Sequence, residues 1–152
     1  HFNLANPDSA IAEGVPLCSE LNPQLYRTFY RASQQGLALA CHDLSEGGLA
    51  VAIAEMSIAG RLGVNLELDA LPDADPLRTL FGETSGCLLV EVSPQNKPAF
   101  EMIMETMPCR LVGSVTAAST LQAVHKGITL MNIELADLLN AWKDRKIEGG
   151  QA

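Results

Sequence analysis

The amino-acid sequence predicts an α+β fold in mixed α/β layers, with a mixed sheet and with helices packed mainly on one face of that sheet. Helix-type and strand-type apolar patterns are interleaved along most of the chain, and strand-type segments follow one another near its C-terminal end. The chain has 152 residues, of which 47% are hydrophobic, so it is long and apolar enough to bury one core. We therefore expect one domain over residues 20–143, between a partly disordered entry segment (1–19) and a flexible tail (144–152).

The first half of the predicted domain alternates helices and strands. A 3.6-residue apolar spacing predicts a helix over residues 22–35. A continuous apolar run predicts a strand over 37–41 that is covered on both faces. A second helix then follows a pair of glycines and ends at Gly60, and an alternating pattern predicts a strand over 64–68.

The second half begins with an acidic, proline-containing connection and ends with three strands in succession before a last helix. The apolar stripe of that last helix ends at the single tryptophan, Trp142. The predicted elements are a short helix over 77–81, a strand over 87–92, a helix over 94–107, and strands over 110–116, 121–124 and 128–133.

Composition and charge narrow the class of protein. The formal net charge of −8 argues against nucleic acid as a partner. No apolar run approaches the roughly 20 residues of a membrane span, and no signal-peptide pattern is visible. The four cysteines have no C-x-x-C spacing, so we expect reduced thiols rather than disulfides or zinc ligands. Together these features predict no membrane contact and a cytoplasmic location.

The segment most informative about function is Cys-His-Asp-Leu-Ser-Glu-Gly-Gly-Leu, residues 41–49, where a strand leads into a helix. A helix N-terminus carries unpaired N–H groups and the positive end of the helix dipole, which suit phosphate. Asp43 is an oxygen ligand of the kind that Mg²⁺ takes together with phosphates. The same residues also suit a tight turn, in which Ser45 caps the helix and Gly47 and Gly48 allow positive φ or close packing.

Two other positions also have two interpretations each. Glu83-Thr84-Ser85-Gly86 precedes a strand, and its small residues suit either an anion-binding nest or a simple bend. His42 suits either a general base, because its ordinary pKa is near neutrality, or a histidine that the backbone orients to shape the strand end. We favour the second interpretation of His42.

Residues 42–68, HDLSEGGLAVAIAEMSIAGRLGVNLEL, resemble the C-terminal-type domain of the large subunit of the phosphoribosylformylglycinamidine synthase family. Two more blocks match that domain in the same order, namely LFGETSGCLLVEV over 80–92 and LVGSV over 111–115. The resemblance spans about residues 20–143 and implies the fold of the C-terminal half of aminoimidazole ribonucleotide synthase. Glu46 departs from the family's usual Asp at its position.

The resemblance implies an ATP-dependent carbon–nitrogen ligase, an amidotransferase that converts formylglycinamide ribonucleotide to formylglycinamidine ribonucleotide in purine biosynthesis. Its cofactors would be Mg²⁺ and ATP or ADP. In larger members this copy of the motif lines a structural nucleotide site, so both a structural and a catalytic role stay open. The implied site residues are Asp43 for the metal and Ser45, Gly47, Gly48, Thr84, Ser85 and Gly86 for the nucleotide.

The resemblance also implies partners for the chain. These are the N-terminal-type domain of the same enzyme, a glutaminase and a small accessory subunit or their fused equivalents, and the ribonucleotide substrate. We expect the domain to be inactive alone and to self-associate through apolar surface that its neighbour would cover. Two alternatives are a domain of a sister ATP-using enzyme (aminoimidazole ribonucleotide synthase, selenophosphate synthetase or a hydrogenase maturation protein) and a non-catalytic assembly module.

Overall fold

The computed structural model describes residues 2–5, 20–71, 75–83 and 85–144. Thr84, Cys18 and most of the predicted entry segment and tail lie outside the described residues. Helices and strands alternate for most of the described chain. In order they are β1 (Phe2–Ala5), α1 (Asn22–Gln34), β2 (Ala38–Asp43), α2 (Gly48–Gly60), β3 (Gly63–Glu67), α3 (Pro76–Phe81), β4 (Leu88–Val92), α4 (Lys97–Met104), β5 (Cys109–Thr116), β6 (Thr120–His125), β7 (Ile128–Glu134) and α5 (Leu135–Lys143).

The seven strands of the described residues form one sheet, in the order β2-β4-β1-β5-β3-β6-β7. β3 and β6 run parallel, whereas the other neighbouring strands run antiparallel. The predicted α+β class with a mixed sheet is therefore confirmed. β1, which the sequence does not predict, lies between β4 and β5, where Phe2 pairs with Glu91 on one side and Gly113 on the other.

Helices cover both faces of this sheet. In β4, Leu88 and Val90 pack with α1 and α4, whereas Leu89 packs with α2. α3 and α5 pack against α2. The expectation of helices mainly on one face is thus refined: three helices lie on the α2 side, and α1 and α4 cover the other face. β4 requires cover on both sides because Leu88, Leu89 and Val90 are successive apolar residues, which point to alternate faces of the sheet.

The strand predicted over 37–41 is present as β2, but the prediction that it is covered on both faces is wrong. β2 is an edge strand with β4 as its neighbour in the sheet. Its residues alternate between half-buried and exposed, and Leu39 is 61% exposed. An edge position and a central position can have the same apolar composition, and only the pairing of the strands distinguishes them.

The start of α2 differs from the starts of the neighbouring helices. Proline occupies the first turn of α1, α3 and α4, where its missing N–H has no consequence. Asp75 also caps α3 by accepting a hydrogen bond of 2.9 Å from the Leu77 amide. α2 instead begins at Gly48 and has Gly47 as its N-cap residue, with no side-chain cap at its N-terminus.

The cysteines that the structure describes, Cys41, Cys87 and Cys109, are free thiols. Burial raises the pKa of Cys87 to about 12, and burial together with the charge of Glu101 raises the pKa of Cys109 to about 11. Both thiols are therefore protonated at neutral pH. None of the described helices combines the length and the apolar character that a membrane crossing requires.

Candidate functional site

Two segments that the sequence singles out lie side by side at one end of β2 and β4. We call residues 43–48 the turn segment and residues 82–87 the bend segment; Thr84 of the bend segment is not among the described residues. Asp43 pairs in register with Leu88. The Leu44 amide donates a hydrogen bond of 3.0 Å to the Cys87 carbonyl. The candidate nucleotide-binding residues of both segments are therefore neighbours in the fold.

The two glycines of the turn segment have different roles in packing. Both have positive φ, +79° at Gly47 and +62° at Gly48. A Cβ on Gly47 would overlap the Val51 side chain, and a Cβ on Gly48 would lie 2.6 Å from the Gly82 carbonyl oxygen. Gly48 thus brings the backbone of α2 directly against the bend segment, a contact that only glycine allows.

The N-terminus of α2 has features that suit an anion. The N-cap residue is Gly47 and no side chain caps the helix, so Ser45 is not the cap that one interpretation of the sequence proposed. The Ser45 carbonyl accepts a turn hydrogen bond of 3.0 Å from the Gly48 amide, and the residue is exposed. A 13-residue helix without a side-chain cap presents N–H groups and a partial positive charge at this end.

The remaining predicted residues occupy distinct environments. Asp43 is the last residue of β2, and its side chain is 70% exposed. Ser85 and Gly86 are partly buried in the turn before β4. Gly86 has φ of +77°, and a Cβ there would overlap the buried side chain of Asn22 in α1. The bend interpretation explains why glycine is needed at this position, whereas the anion-nest interpretation stays a prediction.

Both ring nitrogens of His42 contact acceptors. Nε2 lies 2.7 Å from Oε2 of Glu55 in α2, and Nδ1 lies 2.7 Å from the backbone carbonyl of Asp43. Partial burial disfavours the charged ring, but the Asp43 carbonyl and the Glu55 carboxylate outweigh that effect and raise the pKa of His42. The doubly protonated ring satisfies both contacts, because each nitrogen then donates.

Glu55 is a residue of this site that the sequence analysis misses. It contacts His42 from α2, 13 residues further along the chain. A signal for it exists in the sequence: Glu55 is the one charged residue in the 13-residue α2, whose other residues are apolar or small. A lone carboxylate in such a helix needs a partner when the helix packs on a sheet.

A groove of about 620 Å³ lies beside the turn segment, between α2, β7 and α5. Its walls are mainly apolar, and the carboxylate-bearing residues Glu46 and Glu55 also line it. The sequence does not predict this groove, because its walls come from separate segments that only the fold brings together. Its apolar lining includes Val51, Ile58, Phe81, Met131, Leu138 and Trp142.

The residues around Asp43 fit a Mg²⁺ ion only if other ligands, such as phosphates, also bind it. Among the described residues no group of three or more His, Cys, Asp or Glu side chains is arranged to hold a metal ion. Mg²⁺ commonly takes one or two carboxylates from the protein and its other ligands from phosphates and water. The exposed carboxylate of Asp43, with the Ser45 hydroxyl nearby in sequence, therefore fits Mg²⁺ that arrives with a nucleotide and does not fit an all-protein metal site.

Residues 7–126 match the family model described as "AIR synthase related protein, C-terminal domain". The chain belongs to this family. Curated relatives are named phosphoribosylformylglycinamidine synthase subunit PurL. The protein of Lactobacillus helveticus is 35% identical over 125 residues, which are 82% of this chain and 16% of the relative. That of Parasynechococcus marenigrum is 36% identical over 138 residues, or 88% of this chain and 18% of the relative.

Solved structures have the fold of this family domain. Phosphoribosylformylglycinamidine synthase II from Thermotoga maritima matches with a TM-score of 0.81 at 20% identity, over 99% of this chain and 27% of that protein. PurL of the same organism complexed with ATP matches with a TM-score of 0.78 at 21% identity, over 90% of this chain and 25% of that protein. The Escherichia coli hydrogenase maturation protein HypE matches less well, with a TM-score of 0.63 at 18% identity over 88% and 48%. At these identities the likeness concerns the fold alone.

Proposed function

We propose that the chain is a C-terminal-type domain of an ATP-dependent phosphoribosylformylglycinamidine synthase, the amidotransferase that makes formylglycinamidine ribonucleotide in purine biosynthesis. The observation that carries this proposal is the 35–36% identity to curated PurL subunits over most of the chain. The chain spans about a sixth of the length of those relatives. The reaction therefore belongs to a longer protein, and the domain alone is expected to be inactive.

In this function the turn segment and the bend segment contact the phosphates of ATP or ADP. The N–H groups at the start of α2 and the Ser45 hydroxyl donate to phosphate oxygens, and the positive φ of Gly47 and Gly48 lets the backbone come close to them. Ser85 and Gly86 supply a second set of small residues next to this site. Thr84 belongs to the same proposal on the ground of the resemblance alone.

Asp43 would hold Mg²⁺ at the strand end, because its carboxylate is exposed beside the proposed phosphate site. When bound, Mg²⁺ neutralises negative charge on the phosphoryl oxygens during transfer to the amide oxygen of the substrate. His42 has no role as a base in this scheme, because both of its nitrogens contact acceptors. The site serves either turnover or a structural nucleotide, and the titration below is common to both.

The partners of this domain follow from the same proposal. An N-terminal-type domain of the same protein would supply the rest of the nucleotide site, and a glutaminase with a small accessory subunit would supply ammonia. A solved structure of PurLQS from Thermotoga maritima contains a chain with this fold, at a TM-score of 0.78 and 20% identity. We further propose a cytoplasmic location, which the free thiols of the described residues support.

Calorimetric titration with Mg–ADP tests the proposed site. The full-length parent protein is titrated as the wild type and as Asp43→Ala, which should weaken Mg–ADP binding at least tenfold because a metal ligand is lost. Glu105→Ala removes an exposed carboxylate after α4, on the opposite face of the sheet, and serves as the matched control with unchanged affinity. Equal affinities of the wild type and Asp43→Ala would refute the metal assignment. A parent protein that binds no nucleotide would refute the proposed function.

A further inference from the structure

The contact between His42 and Glu55 joins the two elements that flank the turn segment. His42 lies in β2, just before the turn segment, and Glu55 lies in α2, two turns beyond the first residue of that helix. Their 2.7 Å contact therefore closes a loop that contains the turn segment. Two further contacts, the Leu44 amide to the Cys87 carbonyl and Gly48 against Gly82, attach the turn segment to the bend segment.

Both partners of this contact are partly shielded from water, which strengthens it. The side chains of His42 and Glu55 are 27% and 32% exposed, and their contact is within the range of a charge-assisted hydrogen bond. An exposed pair such as Lys97 and Glu101 on α4 has a more accessible carboxylate, 45% exposed, and a smaller expected effect.

The second ring nitrogen of His42 is directed to the strand end. Nδ1 lies 2.7 Å from the Asp43 carbonyl and 3.8 Å from Oδ1 of the Asp43 side chain. A ring held by Glu55 at Nε2 therefore orients the backbone of Asp43 and lies close to its carboxylate. With both nitrogens donating, the ring has no lone pair that accepts a proton from a substrate.

We propose that His42 is a positioning residue, which together with Glu55 holds Asp43 and the turn segment in the conformation that receives Mg–nucleotide. This inference rests on the proposed function and adds a role for two residues that contact neither metal nor phosphate. A positioning role differs from acid–base catalysis in what it changes. Loss of the contact weakens the binding of Mg–ATP, whereas loss of a catalytic base slows turnover even at saturating nucleotide.

The first test measures whether the two residues act as a unit in the 152-residue chain. Urea denaturation of His42→Ala, Glu55→Ala and the double variant should give non-additive shifts in midpoint, with the double variant close to either single one. Glu55→Gln keeps an acceptor for Nε2 and should retain part of the stability. Glu101→Ala, combined with His42→Ala, is the matched control and should be additive. Additive shifts for His42 and Glu55 would overturn the inference at this step.

The second test measures the consequence for nucleotide in the full-length parent protein. His42→Ala and Glu55→Ala should each weaken Mg–ADP binding in calorimetric titration about tenfold to a hundredfold with little change in kcat, and Glu55→Gln should recover most of the loss. An unchanged Mg–ADP affinity in both alanine variants would overturn the inference. A large fall in kcat for His42→Ala alone would assign acid–base chemistry to the ring and overturn it as well.

The two proposals fail in different ways. A wild-type parent protein without Mg–ATP-dependent activity or nucleotide binding overturns the proposed function, and with it the nucleotide part of this inference. Where nucleotide binds normally but the His42–Glu55 pair shows no coupling, the positioning role alone is overturned. If an alanine variant does not fold, the Glu55→Gln variant is compared with the wild type by amide hydrogen exchange. Exchange at the Leu44 and Gly48 amides should be faster in Glu55→Gln if the His42–Glu55 contact holds the turn segment, and unchanged exchange would overturn the inference.

Discussion

Replacing Gly48 with alanine directly perturbs the contact between α2 and the bend segment. Gly48 has φ of +62°, and a Cβ there would lie 2.6 Å from the Gly82 carbonyl oxygen and 2.8 Å from the Phe81 carbonyl carbon. The left-handed backbone alone costs a non-glycine residue roughly 1–2 kcal/mol. Overlap with backbone atoms, which have no rotamer to escape to, adds about 1–3 kcal/mol. We expect the free energy of unfolding to fall by about 2–5 kcal/mol.

Gly36→Ala is the control that separates these two contributions. Gly36 has φ of +67°, close to that of Gly48, but no atom lies within 4 Å of where its Cβ would be. The free energy of unfolding of Gly36→Ala should therefore fall by only the roughly 1–2 kcal/mol that the left-handed backbone conformation costs. Urea denaturation followed by far-UV circular dichroism measures the free energy of unfolding of both variants. In thermal denaturation of a chain of this length, each kcal/mol of lost stability lowers the Tm by about 2–4 °C. Equal destabilisation of Gly48→Ala and Gly36→Ala would refute the argument from close packing.

The remaining predictions concern the turn between the antiparallel strands β6 and β7 and a pH dependence. The two carboxylate oxygens of Asp69 accept hydrogen bonds from the Lys126 amide, at 2.9 and 3.1 Å. Asp69→Ala should therefore lower the free energy of unfolding by about 1–2 kcal/mol, measured by urea denaturation. Asp69→Asn retains an acceptor, and a loss as large as that of the alanine variant would contradict the assignment. Because the folded pKa of His42 is raised, its stabilising contribution should be complete below the unfolded pKa of about 6.5 and be lost as pH rises through the folded value. The difference in stability between the wild type and His42→Ala should narrow with rising pH; a constant difference would contradict this.

The fold is predictable from the sequence where the pattern is local. α2 ends at Gly60 as predicted, because its glycine start, apolar body and glycine end are all local signals. β1 has only four residues, too few for a periodic pattern to be recognised. The position of β2 at the sheet edge depends on which strands pair, and an apolar run has the same composition at an edge and at the centre.

In the candidate site, too, the local features are predictable from the sequence and the contacts between distant segments are not. The turn segment and its positive φ values at Gly47 and Gly48 are predictable, because glycine adopts positive φ without steric cost and is therefore common in tight turns between a strand and a helix. The contact of Gly48 with Gly82 and that of His42 with Glu55 are not predictable from spacing, because each joins elements that meet only through tertiary packing. The groove beside α5 escapes prediction for the same reason.

The place of β1 in the sheet has a practical consequence for anyone who trims this protein. Four residues near the start of the sequence separate β4 from β5, so their removal would divide one continuous sheet into a two-stranded ribbon and a four-stranded remainder. Two rows of backbone donors and acceptors would then face solvent, which invites edge-to-edge association between molecules. A chain shortened from this end would thus be smaller but is expected to aggregate.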